Sequence, residues 1–139
     1  MSHTAVLVIG DDPETILAPY QEREWFDGGK WDWYQLGGRW TGYFSLKPGT
    51  KGVTGAPGLM TAPATGGRVD QARKKDIDLS DISIPFAICT KDGWAERGKM
   101  GWFGTVTDEK DSEDWEKQAR QIIENASDDS LFSLYDLHI

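Results

Sequence analysis

The apolar and polar positions divide the chain into two strongly patterned ends around a middle that loses its period. Residues 4–9 (T-A-V-L-V-I) are continuously apolar and stop at Gly10-Asp11-Asp12. That run predicts a strand buried on both faces, and therefore central in its sheet. Asp12 stands as an N-cap before Pro13 and Glu14. It predicts a short helix that turns Ile16, Leu17 and Tyr20 to the core and ends within about two turns, at Pro19. Near the other end, Trp115, Ala119, Ile122, Ile123 and Ala126 recur at helical spacing. They predict a helix over residues 113–126 with acids in its first turn. Residues 131–139 (L-F-S-L-Y-D-L-H-I) read as a closing strand.

In between, residues 31–36 and 42–46 read as strand pieces hinged at Gly37-Gly38. Residues 47–67, rich in glycine, proline and threonine, predict a flexible insertion within a single domain spanning 1–139. Residues 68–75 predict a brief helical turn carrying the one basic cluster, Arg68, Arg73, Lys74 and Lys75, as a solvated face. Alternation over 82–88 predicts that Ile82, Ile84, Phe86 and Ile88 share a buried face, with a sheet edge or bulge at Pro85. Lys91-Asp92-Gly93 reads as a hairpin turn, and 102–107 as a further strand.

This order predicts an α+β fold: a ferredoxin-like split β-α-β with an antiparallel sheet, two helices and the Gly/Pro-rich insertion. In that topology the first and last strands are antiparallel neighbours at the centre of the sheet. His3 and His138, the only two histidines, then fall at one end of it, where the loop 22–32 with Trp25 and Trp31 also returns.

Charge narrows the partners. With 23 acidic against 15 basic residues, net −8, the chain lacks the basic footprint of a nucleic-acid binder. Acidity still permits a small phosphorylated ligand held by one or two arginines, or imitation of nucleic acid towards a basic host protein. The lone Cys89 excludes an internal disulfide and suits a reducing compartment. No basic region precedes the apolar run, which is too short for a signal peptide or a membrane span. The expectation is a soluble cytoplasmic protein with no membrane partner.

Seven tryptophans set the candidate chemistry, three of them within residues 31–42. Rigid rings beside an arginine fork and two glycines suit a flat, polar ligand, and the same rings also suit a small core. Trp31, Trp33, Tyr34 and Trp40 are candidate platforms and Arg39 the anion fork. Strand alternation would set Trp31 and Trp33 on one side, and Asp32 and Tyr34 on the other. A second aromatic and basic stretch, with Arg97 and Trp102, is the candidate opposing wall. His3 and His138 are the candidate catalytic residues, one imidazole as base and one as acid across a phosphodiester, without metal. Neither stands in the His-x-Thr pattern of two-histidine phosphoesterases. Spacing offers no metal site, since capping explains Asp12 and Glu14 in the acidic group with Asp11, and no cofactor motif is present.

Val6 to Asp12, Leu17-Ala18-Pro19-Tyr20, the block over 31–42, Ala72-Arg73-Lys74 with Asp76-Ile77-Asp78, Trp94 to Gly98 with Met100-Gly101-Trp102, and Asp136-Leu137-His138-Ile139 carry a resemblance over nearly the whole chain. Together they resemble a family of small proteins carried by tailed bacteriophages that share the Trp-Asp-Trp-Tyr…Gly-Gly-Arg-Trp block. This copy departs from the family in a short, simple 47–67 loop. The resemblance implies an accessory, counter-defence role in the host bacterial cytoplasm, acting on nucleotide immune signals such as cyclic dinucleotides or adenosine-diphosphate-ribose derivatives.

The leading expectation is a module that sequesters such a nucleotide-like ligand in an aromatic and arginine pocket. The alternatives are a metal-independent phosphodiesterase using His3 and His138, and an acidic inhibitor of a basic host protein. Whether the protein turns its ligand over is left open. The strand edge near Pro85 is the candidate surface for homo-oligomerisation.

Overall fold

The computed structural model describes residues 3–21, 31–48, 68–97, 99–100, 106–107 and 112–138. Most of the insertion, Trp25 and Trp102 lie outside the described residues. The strands are β1 (His3–Ile9), β2 (Trp33–Leu36), β3 (Phe44–Ser45), β4 (Arg68–Val69), β5 (Gln71–Arg73), β6 (Ala87–Thr90), β7 (Gly93–Glu96), β8 (Lys99–Met100), β9 (Val106–Thr107) and β10 (Leu131–His138). The α-helices are α1 (Pro13–Leu17) and α2 (Ser112–Asn125). A six-stranded mixed sheet runs β2-β10-β1-β6-β7, with β5 also paired to β10; β3-β4 and β8-β9 form two small ribbons.

The continuous apolar run is central, as its pattern requires. β1 pairs antiparallel with β10 and parallel with β6, and residues 5–9 are buried. Strand alternation divides its side chains between two cores. Leu7, Ile9, Phe132 and Leu134 meet Trp115, Ala119 and Ile123 of α2. Val6, Val8, Ala87, Cys89, Tyr135 and Leu137 meet Leu17 of α1 and Trp31. The helices therefore cover opposite faces, whereas a ferredoxin-like layout sets both on one. The sheet is also mixed rather than antiparallel, because the chain crosses over and enters β6 in the same direction as β1.

The helix signals hold. The Asp12 carboxylate accepts from the Thr15 amide and hydroxyl, and Pro13 sits at the first position. Pro19 falls in a single 3₁₀ turn, Ala18–Tyr20, that ends the helix. The far end of α2 is closed by Lys74, which is buried and donates from Nζ to the Glu124 and Ala126 carbonyls at 2.8 and 2.7 Å. A cation there satisfies the carbonyls a helix leaves unpaired and complements its dipole.

Two local expectations are corrected. Residues 68–75 are not a helical turn: they form β4, β5 and the start of a 3₁₀ turn, Lys74–Asp76. β10 has eight residues, and β2 covers only its second half, so β5 takes the first half. Of the basic cluster Lys74 is buried and Lys75 stays exposed, while Arg68 and Arg73 are part-buried and bonded within the chain. Arg68 donates to the Gly42 and Tyr43 carbonyls, and Arg73 to Asp11 and to the Asp129 carbonyl.

Nor do Ile82, Ile84, Phe86 and Ile88 share a face. The strand starts only at Ala87, and Phe86 packs with the α1-side core while the three isoleucines pack with the other. Pro85 has no amide for a ladder. The Ser83 and Pro85 carbonyls are instead satisfied by the Tyr43 hydroxyl and the Trp115 indole. Among the described residues no helix is long and apolar enough to cross a membrane.

Candidate active site

His3 and His138 are register partners on the two central strands. Residues directly opposite in an antiparallel pair point to the same face, so both imidazoles stand on the α2 side. Their ring centroids are 5.2 Å apart in an edge-to-face arrangement. On the next strand, Trp33 is the register partner of His138, with ring centroids 6.4 Å apart. A row of three rings thus crosses β2, β10 and β1 at one end of the sheet.

Each imidazole is oriented by a carboxylate. His3 Nδ1 lies 2.7 Å from Asp136 Oδ1, and His138 Nδ1 lies 2.7 Å from Asp32 Oδ1. A carboxylate at Nδ1 fixes the tautomer. The neutral ring then offers a lone pair at Nε2 and the protonated ring offers a proton there. Neither Nε2 has a partner among the described residues. The two dyads differ in exposure: the Asp136 side chain is 3% exposed and the Asp32 side chain 47%.

Asp136 is also what the Gly37-Gly38-Arg39-Trp40 stretch serves. Its Oδ2 accepts from the Arg39 amide at 3.0 Å. Gly37 and Gly38 have φ of 73° and 52°, where an L side chain is strained. A Cβ on Gly38 would fall inside contact distance of the Asp136 carboxylate, and one on Gly37 would collide with Asp70. Asp70, itself buried, accepts from the Gly42 amide and the Thr41 hydroxyl. The glycine pair thus lets a 3₁₀ turn, Gly38–Trp40, wrap two buried carboxylates. Within the turn the Arg39 amide is spent on Asp136 and the Trp40 amide on the Gly37 carbonyl.

Beside His3 a cleft of about 480 Å³ opens on the same face, lined by Trp40, Ile84, Pro85, Arg97, Trp115 and Glu116 among others. Arg97 is held there by its amide bond to the Phe86 carbonyl, at the entrance to β6. A larger recess, about 940 Å³, lies at the opposite end of the sheet around Gly10, Lys91, Trp94 and Ala126. It contains no imidazole, so chemistry favours the smaller cleft.

The structure therefore brings together His3, His138, Trp33, Trp40 and Arg97. It sends Trp31 and Tyr34 to the other face. Trp31 is buried, donates from Nε1 to the Leu17 carbonyl at 2.9 Å and packs edge-on to Tyr34. Strand alternation does not extend to Trp31, because β2 starts at Trp33 and the chain bends at Asp32, whose amide bonds the His138 carbonyl. That bend puts Asp32 beside His138. The Arg39 side chain is exposed, and its guanidinium has no partner among the described residues. Trp102 lies outside them.

Sequence reasoning missed Asp136 and Asp32 as orienting groups. The available signal was an acid inside the apolar strand 131–139, two positions from His138 and so on its face. Among the described residues no group of three or more His, Cys, Asp or Glu is arranged to hold a metal ion. The Cys89 thiol, wholly buried, is pushed up to about 12 by desolvation and takes no part in this chemistry. Comparison with protein-family models, curated proteins and solved structures gives no match.

Proposed function

We propose that this protein is a metal-independent phosphodiesterase acting on a small nucleotide-like substrate. The observation that carries the reading is the in-register His3–His138 pair, each ring tied through Nδ1 to its own carboxylate. Two imidazoles with open Nε2 atoms on one face suit general acid–base catalysis across a phosphorus centre. One imidazole takes the proton from a water whose oxygen attacks phosphorus. The bond to the ester oxygen breaks, and the other imidazole gives that oxygen its proton. The products are a phosphate monoester and an alcohol, with each histidine left in the opposite protonation state. Asp32 and Asp136 stabilise the imidazolium as it forms. Arg97, in the cleft beside His3, supplies charge for the non-bridging oxygens.

The resemblance to small bacteriophage proteins supports a counter-defence setting in the bacterial cytoplasm, with a nucleotide immune signal as substrate. Sequestration without cleavage is the second reading, favoured by the exposed ring of Trp33 next to the pair. Chromatography of nucleotides and cyclic nucleotides after incubation with the protein in chelator separates the two. Cleavage that His3→Ala and His138→Ala each abolish is expected. Tight binding with the ligand recovered intact leaves the sequestering reading in its place.

A further inference from the structure

The arrangement around the imidazoles points to a substrate with a flat ring on each side of its phosphodiester. This inference rests on the reading above and names its substrate class. Four features follow one another across adjacent strands. Trp33 stands on β2, His138 on β10, His3 on β1, and the cleft under Pro85 and Arg97 opens at the entrance to β6. Strands are about 4.8 Å apart, so the row covers three such steps. Its centre holds the acid–base pair, and each end holds a surface for a ring.

The two ends differ. On the His138 side, Trp33 is 51% exposed, the one large hydrophobic side chain so exposed among the described residues, and its ring stands steeply inclined to the His138 ring. It sits on β2, which has no strand beyond it in the sheet order among the described residues. On the His3 side the surface is concave, walled by Trp40, Pro85 and Trp115, with Arg97 at its rim. A base enters the cleft on the His3 side, the phosphodiester lies over the imidazoles, and a second base stacks openly on Trp33. Stacking on an aromatic side chain is tolerant of base identity, so the Trp33 side selects for a ring and the cleft side for its shape. A linear dinucleoside phosphate has this form, and a nucleoside phosphate esterified to a small alkyl group lacks one ring.

The test is calorimetric titration with adenylyl-adenosine and with adenosine 5′-methylphosphate, each mixture then chromatographed for products. The dinucleotide is expected to bind about tenfold or more tightly, the worth of one stacked base. Trp33→Ala, an exposed edge position, is expected to bring the two affinities together. Equal affinities in the wild type, a preference unchanged in Trp33→Ala, or no binding of either ester overturns the two-ring assignment. Binding with the expected preference but no products overturns the phosphodiesterase reading and leaves the two subsites standing.

Discussion

Gly38 lies so close to Asp136 that a single added carbon on the glycine would overlap the carboxylate that orients His3. Backbone conformation and acid–base geometry are thereby tied together in one turn. Gly38→Ala is expected to destabilise the fold by about 1–3 kcal/mol, the cost of a non-glycine residue at φ 52°. Turnover is expected to fall by more than Gly93→Ala causes: Gly93 also has a positive φ, 149°, but a Cβ there meets nothing within 4 Å and it lies at the other end of the sheet from the imidazoles. Denaturant unfolding and turnover of both variants check this. Equal turnover in the two would separate the turn from the site.

The dyads are unequal, and the variants should show it. Asp136→Asn leaves an amide in a site where the carboxylate serves both His3 and the Arg39 amide. A loss of about 10²-fold or more in kcat is expected, with KM little changed, because the wrong tautomer is held. Asp32→Asn is expected to cost less, since water reaches the half-exposed Asp32 and can stand in for it. Steady-state kinetics of the pair decide the order.

Trp31 and Trp33 are two positions apart and have opposite duties. Trp31→Ala removes a buried ring and the partner of the Leu17 carbonyl, at an expected cost of about 3–5 kcal/mol. Trp33→Ala is expected to change stability by no more than about 0.5 kcal/mol, as exposed positions usually do. Urea midpoints of the two variants measure the contrast.

Alkali is expected to destabilise the protein. Burial raises the Cys89 thiol to about 12 and pushes the Tyr43 and Tyr135 phenols up as well. Below about pH 8.5 these groups are protonated in both the folded and the unfolded chain, and their contribution is whole. Above it the unfolded chain loses these protons first, so stability falls as pH climbs towards the folded-state values. A urea midpoint that drops between about pH 8 and pH 11 fits this. A midpoint that stays level contradicts it.

Much of this was legible in the sequence, and the reasons are local. The 4–9 run, the Asp12-Pro13 cap and the helical stripe from Trp115 to Ala126 each carry one dominant signal, and each element formed. Pairing the first and last strands at the centre was enough to bring His3 to His138. What failed depended on partners distant in the chain. Residues 71–73 are strand because half of β10 lacked a neighbour, and residues 68–69 because they pair with β3. The alternation at Ile82, Ile84, Phe86 and Ile88 was overruled by carbonyls finding side-chain donors. The orienting carboxylates stayed hidden because Asp32 lies 106 positions from His138, and Asp136 lies 133 from His3.

The measurement closest to the central claim is the pH dependence of kcat/KM for a phosphodiester in the presence of chelator. Two imidazoles acting as base and acid give a bell, and His3→Ala and His138→Ala each lower its peak by about 10²-fold or more. A flat profile, or either alanine variant turning over at the wild-type rate, would contradict the assignment of the pair.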